Sequence, residues 1–347
     1  MSALQPITLA AGSSATSCTP PDMRIVTSVN AKYDHVLVNQ ISHIHHMDCA
    51  PPIEYHCTDE ASFNLCETLA VESDTATCVL ADCPNCNTRE GISFLKFYLL
   101  RDALRREMPS GEGASGVLYI DATALVQGAS CLNELVATDT DVAVSAEDMS
   151  PGCPLNHVLA DVGVHGLNPN TGLIWARRTE EAEALLNDLI GRYEEVGSKG
   201  NTLCPEQAFF GNYLNTHGTR EAAVGSAPSM SLQVAYNATR VAYDGQPARV
   251  TILDYARWPR FLVEDARAYA SWPPALQARV TSKMQSTRGE NATEREELGH
   301  TVALDATTGG PREVCLYHPF VRGTKEKSTE GRGSQAVFFA KDGMWYL

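Results

Sequence analysis

Apolar positions recur at two different periods along the chain. Short runs at Arg24–Val29, Ile53–Cys57, Thr77–Ala81, Gly116–Ile120, Val142–Ser145 and Val250–Leu253 predict strands. Between them the period lengthens. Tyr33–His46 predicts a helix, and Leu95–Arg106 predicts a second, with Leu95, Leu99 and Ala103 on one face and Pro109 beyond its end. Leu173–Arg178 predicts a strand that runs into the clearest helix. Thr179 can cap that helix, Glu180 and Glu181 suit the positive end of its dipole, and Ala182, Leu185, Leu186, Leu189, Ile190 and Tyr193 form its apolar stripe. A further helix is expected from Pro205 to near Gly218, with Phe209, Phe210, Tyr213 and Leu214 on its core face. Strands alternating with helices predict layered α/β architecture. The last third is less regular. Gly289–Glu297 is polar, Gly323–Ser334 is a Gly/Lys-rich loop, and Val337–Ala340 predicts a closing strand. No internal repeat or linker divides the chain. Residues 1–22 read as a Ser/Thr/Ala-rich tail and residues 23–347 as one domain.

Composition narrows the function classes. The chain has 347 residues, 44% hydrophobic and 20% charged, which is ordinary for a globular protein. Its net charge of −15 opposes binding to a polyphosphate backbone, so no nucleic-acid partner is expected. No apolar run is long enough for a membrane span, and the N-terminus lacks the basic start and apolar centre of a signal peptide. A cytoplasmic protein is expected from this, with Golgi association left open. The eleven irregularly spaced cysteines argue against a disulfide scaffold and are compatible with a reducing compartment, with their pairing left open.

Asp121 carries the sharpest chemical signal. It directly follows the apolar run GVLYI, so its carboxylate is expected at the C-terminal edge of a strand, where open α/β sheets place ligands. Asp139-Thr140-Asp141 also has DxD spacing but precedes its strand, which puts it at the opposite edge as a loop pair. Cys83-Pro84-Asn85-Cys86, with Cys78 and the His43/His45/His46 cluster, lacks the second CxxC of a zinc finger and reads as loop thiols beside ordinary helix histidines. His318-Pro319-Phe320-Val321-Arg322-Gly323-Thr324-Lys325 joins one possible metal ligand to a basic glycine loop that could wrap a phosphate.

Taken together, these segments resemble the GT-A nucleotide-diphospho-sugar transferases, above all the plant and algal arabinosyl-, galactosyl- and xylosyltransferases. RIVTSVNAKY resembles the family's first strand and nucleotide-contacting loop, and YHCTDEASFNLCE its next strand, Asp and short helix. LKFYLLRDALRR and VLYIDA are similar to its Lys-bearing helix and DxD strand. LNPNTGLIWARRT, CPEQAFFGNYL, VTILDYARWPRF, HPFVRGTKEK and GMWYL follow in the family's order. The second Asp of DxD is Thr123 here.

The resemblance implies a mixed, mostly parallel sheet flanked by helices, of the Rossmann-like GT-A kind, with an irregular C-terminal lobe. It implies a nucleotide-diphosphate sugar donor, of the UDP class, and a glycan or small-sugar acceptor. It places Thr27, Ser28, Asn30, Asp59, Lys96, Asp121, Thr123, Asn170, Gly172, Arg322 and Gly323 around the donor. Glu206 and Gln207 fall at the reaction centre, and Lys325 meets the charge on the leaving diphosphate. Asp121 and His318 would be the ligands of a Mn²⁺ or Mg²⁺ ion, a thin set without the second Asp. Glu206 would act as general base in an inverting enzyme or position the sugar in a retaining one. Two rivals remain: a degenerate, non-catalytic nucleotide- or glycan-binding module, and a phosphatase-like hydrolase in which Asp121 of Asp121-Ala122-Thr123 is the nucleophile.

Overall fold

The computed structural model describes residues 19–71, 73, 75–83, 86, 88–106, 114–126, 128–147, 168–197, 205–220, 234–238, 247–253, 258–262, 302–304, 311–313 and 315–320. The expected polar segment at 289–297, the Gly/Lys-rich loop and the closing strand at 337–340 lie outside these residues.

Four parallel strands open the sheet: β1 (Arg24–Val29), β2 (Ile53–Cys57), β3 (Ala76–Leu80) and β4 (Gly116–Ile120). They are joined by α1 (Asp34–His46), α2 (Glu60–Ala70) and α3 (Arg89–Arg105). After β4 come the two-residue β5 (Leu125–Val126), α4 (Ala129–Ala137), β6 (Val142–Glu147) and β7 (Asn168–Arg177). Next are α5 (Glu180–Val196), α6 (Pro205–His217), β8 (Gly218–Arg220), β9 (Val234–Ala238), β10 (Ala248–Ile252) and β11 (Pro259–Leu262). A small ribbon of β12 (Val302–Leu304) and β13 (Pro311–Glu313) precedes β14 (Leu316–Phe320).

The main sheet runs β3-β2-β1-β4-β7-β6-β10-β9-β8. β7 is antiparallel to both β4 and β6, so the sheet is mixed and mostly parallel, as expected. β11 extends β6 in parallel, β14 pairs with β11, and β5 returns antiparallel to β14.

Strand alternation divides the core in two. Val26, Val117 and Tyr119 face one layer, built from Phe94, Phe97 and Leu100 of α3, the α5 stripe, and Phe210 and Tyr213 of α6. Ile25, Val29, Leu118 and Ile120 face the other, under Leu37 and Ile41 of α1, Cys66 of α2 and Leu132 of α4. The α5 stripe is buried as its period demands, and Thr179 accepts the Ala182 amide at 3.1 Å. Tyr193 at its end stacks on Phe94 with ring centroids 3.4 Å apart.

Several boundaries differ from expectation. Helix α3 begins at Arg89 rather than Leu95, because Thr88 caps it by accepting the Gly91 amide at 3.0 Å. Strand β7 extends back to Asn168, where polar residues carry the pairing with β6. Asp139 and Asp141 do lie at the edge opposite Asp121, as structural residues: Asp139 pairs with Arg249 at 2.8 Å, and Asp141 accepts the Arg249 amide and the Thr179 hydroxyl.

The cysteine reading is corrected. Cys66 pairs with Cys78, Cys83 with Cys86 and Cys131 with Cys315, and Cys49 is also in a disulfide. Irregular spacing hid the Cys66–Cys78 and Cys131–Cys315 pairs, which are made by apposition in space, whereas Cys83–Cys86 closes within its own CxxC. The Cys131–Cys315 bond joins α4 to the residue before β14 across 184 positions. Paired sulfurs are not zinc ligands, so Cys78, Cys83 and Cys86 form no metal site. His43 is a core residue whose Nε2–H donates to the Val126 carbonyl at 2.7 Å, and His45 is exposed.

Candidate functional site

Strand order decides where a ligand can enter. From β1 the chain steps outward through β2 and β3, then returns to place β4 on the other side of β1. The C-terminal ends of β1 and β4 therefore flank a topological switch point, the usual position of the crevice in an open α/β sheet. Ser28 is near the first end and Asp121 follows the second.

Asp121 is fixed through its backbone. Its N–H donates to the Gly172 carbonyl at 2.7 Å, extending the β4–β7 ladder by one residue. Its carbonyl accepts the Ala124 amide at 2.8 Å, closing a turn that contains Thr123. Buried Gln40 of α1 clamps this turn, its Nε2 donating to the Asp121 carbonyl at 3.1 Å and the Ala124 carbonyl at 2.9 Å.

Around the Asp121 side chain the structure assembles a polar cluster from five elements. Lys96 of α3 is 3% exposed, and its ammonium lies 3.3 Å from Asp121 Oδ1 and 3.3 Å from Glu206 Oε1. It also donates to the Thr171 carbonyl at 3.1 Å. The Tyr119 hydroxyl donates to Asp121 Oδ1 at 3.1 Å, with Ser28 Oγ 2.9 Å away on its other side. Burial first, and then the Asp121 charge, push the Tyr119 phenol well above its ordinary value, so it remains a protonated donor.

A second arm comes from β7 and α6. Asn170 is fully buried and donates through Nδ2 to Gln207 Oε1 at 3.1 Å. Its Oδ1 accepts the Gly172 amide at 2.9 Å. Because β7 runs antiparallel, its early residues Asn170–Gly172 meet the end of β4, and Pro205 starts α6 so that Glu206 and Gln207 face them.

The expected site residues thus separate. Ser28, Lys96, Asp121, Asn170, Gly172, Glu206 and Gln207 come together, with Thr123 in the adjoining turn. Asp59 caps α2 near the end of β2, accepting the Ser62 amide at 2.8 Å and the Ala31 amide at 2.9 Å. Burial pushes its carboxyl up, but these backbone donors outweigh that and hold it below the ordinary value. Asn30 follows β1, its carbonyl accepting the Tyr33 amide at 2.8 Å. Thr27 does not join the cluster. It alternates to the opposite layer with Ile25 and Val29 and is fully buried there. His318 lies on β14, beside Arg260 of β11, and its side chain is outside the described residues. Arg322, Gly323 and Lys325 are outside them altogether.

Tyr119, Thr171 and Gln40 were not singled out from the sequence. Tyr119 carried a usable signal, since it shares a strand face with Asp121 two positions on. Thr171 acts largely through a carbonyl, which no side-chain pattern reveals.

Two carboxylates around one ammonium leave a cluster of net negative charge. A diphosphate approaching it needs further cations. Among the described residues, no group of three or more His, Cys, Asp or Glu side chains gathers to hold a metal ion. Of the two expected Mn²⁺ or Mg²⁺ ligands, Asp121 is among these residues and the His318 side chain is not. No helix among the described residues is long and apolar enough to cross a membrane.

No protein-family profile matches the chain, and no curated protein matches it. Among solved structures it is similar to the glycosyltransferase GlyE of Streptococcus pneumoniae, at 16% identity and a TM-score of 0.37, over 56% of this chain and 43% of that one. The chain thus spans less than half the length of GlyE. It is also similar to the galactosyltransferase LgtC, solved with donor and acceptor sugar analogues, at 14% identity and a TM-score of 0.40, over 80% of this chain and 100% of that one. A third similar structure is the bifunctional glycosyltransferase WbbM, at 14% identity and a TM-score of 0.38, over 59% of this chain and 38% of that one.

Proposed function

We propose that the chain is a glycosyltransferase that takes a nucleotide-diphosphate sugar, of the UDP class, and passes the sugar to a hydroxyl of a glycan or small-sugar acceptor. The observation carrying this reading is the cluster at the switch point. Asp121, Ser28 and the Asn170–Gln207 pair line the sheet edge where a nucleotide sugar would lie, with Glu206 beside them. In this reading Asp121 contacts the ribose and Asn170 with Gly172 lines the sugar. The acceptor oxygen bonds to the anomeric carbon as the carbon–diphosphate bond breaks, and the diphosphate leaves with the electron pair. Glu206 takes the acceptor proton if the enzyme inverts; if it retains, Glu206 positions the sugar and the leaving diphosphate oxygen takes the proton.

Lys96 is already held by two carboxylates and a carbonyl, so the cations proposed for the leaving diphosphate are Lys325 and Arg322, with Gly323 allowing the loop to wrap it. Asp121 and His318 are the proposed ligands of Mn²⁺ or Mg²⁺. The disulfides favour an oxidising compartment over the cytoplasm.

The deciding experiment is a thermal-shift panel of UDP, GDP and CMP, each with Mn²⁺ and with EDTA. A nucleotide at a hundred times its Kd raises stability by about 2.7 kcal/mol. A shift with UDP supports the reading, and its loss in EDTA assigns the metal. Retention in EDTA gives the role to Lys325 and Arg322, and Lys325→Ala should then lower kcat more than it weakens acceptor binding. Thr123 at the second DxD position favours one other reading, a binding module without turnover. Donor hydrolysis above background overturns that alternative. Phosphate release from an aryl phosphate would instead support the hydrolase.

A further inference from the structure

We infer that Tyr119 is a positioning residue for ligand recognition by Asp121, acting through a hydrogen-bond chain that spans the switch point from Ser28. The inference rests on the reading of Asp121 as a nucleotide contact.

The direction of the chain follows from proton arithmetic. A phenol has one hydrogen to give. The Asp121 carboxylate can only accept, so that hydrogen goes to Oδ1, 3.1 Å away. Ser28 Oγ, 2.9 Å from the same phenol oxygen, must then be the donor to Tyr119. The chain runs Ser28 to Tyr119 to Asp121 and links the end of β1 to the end of β4, two strands that pair directly.

Tyr119 is 2% exposed, so the described site gives bulk water little access to replace its hydroxyl. Its ring also lies 5.2 Å beneath the Lys96 ammonium, which contacts the same Asp121 oxygen. One side chain therefore holds Asp121 Oδ1 directly and supports the cation that holds it as well. A carboxylate gripped at one oxygen by two donors keeps its rotamer before a ligand arrives, which reduces the ordering cost of binding. Phe at this position keeps the ring and removes only the hydroxyl.

The test is a double-mutant cycle on nucleotide affinity in the intact chain. The probes are UDP, GDP and CMP, taking whichever the wild type binds most tightly. Tyr119→Phe should weaken binding about fivefold to tenfold, the scale of one ordinary hydrogen bond. In an Asp121→Ala background, which removes the acceptor, the same change should cost less than about twofold. With a sugar donor, it should raise KM more than it lowers kcat. Wild-type affinity in Tyr119→Phe, or an equal loss in both backgrounds, overturns the inference. If Asp121→Ala does not fold, the cycle closes through Ser28→Ala, whose loss should largely vanish in the Tyr119→Phe background, and an undiminished loss there is equally fatal. A wild type that binds none of the three nucleotides overturns the proposed function before any variant is made, and the inference with it.

Discussion

Lys96 Nζ lies 3.3 Å from Asp121 Oδ1, with the lysine side chain 4% exposed and the aspartate 29% exposed. A nearly buried ammonium on a helix thus meets a strand-end carboxylate that reaches solvent. Lys96→Met would keep much of the packing volume but leave Asp121 and Glu206 facing each other without the intervening charge. Removing one partner from such a group should lower stability by roughly 2–4 kcal/mol, with nucleotide binding lost as well. Denaturant unfolding and the thermal-shift panel measure the two effects.

Asn170 and Gln207 form a second pair whose loss should be felt. Asn170→Ala leaves the Gln207 carbonyl oxygen, on a side chain 2% exposed, without its 3.1 Å donor. The lost bond and the lost side-chain volume should cost about 1–3 kcal/mol. In the proposed reaction the same change should lower kcat, because the sugar pocket loses a wall. Melting temperature and single-turnover rate separate the two contributions.

Glu54 predicts a pH dependence of stability away from the site. Burial raises its carboxyl, but the hydrogen bond from His56 and the charges of Arg106 and Arg24 outweigh it and hold it down to about 2, from an ordinary 4.5. A depressed carboxyl stabilises the fold above its unfolded value, and that contribution fades as pH falls from about 4.5 towards about 2. The gap in urea midpoint between wild type and Glu54→Gln should be full at about pH 7 and shrink progressively below about pH 4.5.

The Cys131–Cys315 bond closes a loop of 184 positions. Its removal by Cys131→Ala with Cys315→Ala should cost about 3–5 kcal/mol, because a long cross-link restricts the unfolded chain strongly. The bond also anchors the start of β14, the strand that carries His318. Melting under non-reducing conditions tests this, and a Tm equal to wild type would argue that the bond does not form.

Gly116 has no room for a side chain. A Cβ there would stand 2.4 Å from the Ala176 carbonyl oxygen and 2.4 Å from the Trp175 ring. Gly116→Ala should therefore destabilise the β4–β7 pairing by several times the usual cost of one methyl group, on the order of 3 kcal/mol. Urea unfolding of the variant is the measurement.

Local pattern by itself determined much of the architecture. The short apolar runs became β1, β2 and β4, and the apolar stripe after Thr179 became α5 in full, because burial on one face imposes a period the chain must carry. Asp121 was legible as a strand-end acid for the same reason. The signals that failed were the short or polar ones. Helix α4 has nine residues, too few to establish a period, and Asn168–Asn170 pair with β6 without an apolar alternation to announce it. Only the tertiary structure decided the antiparallel course of β7, the disulfide partners, and the gathering of Lys96 with residues 25, 75 and 110 positions away. These depend on how strands order in the sheet and which helix faces close over them. A charge or thiol has no periodicity, and its partner is set by the path of the whole chain.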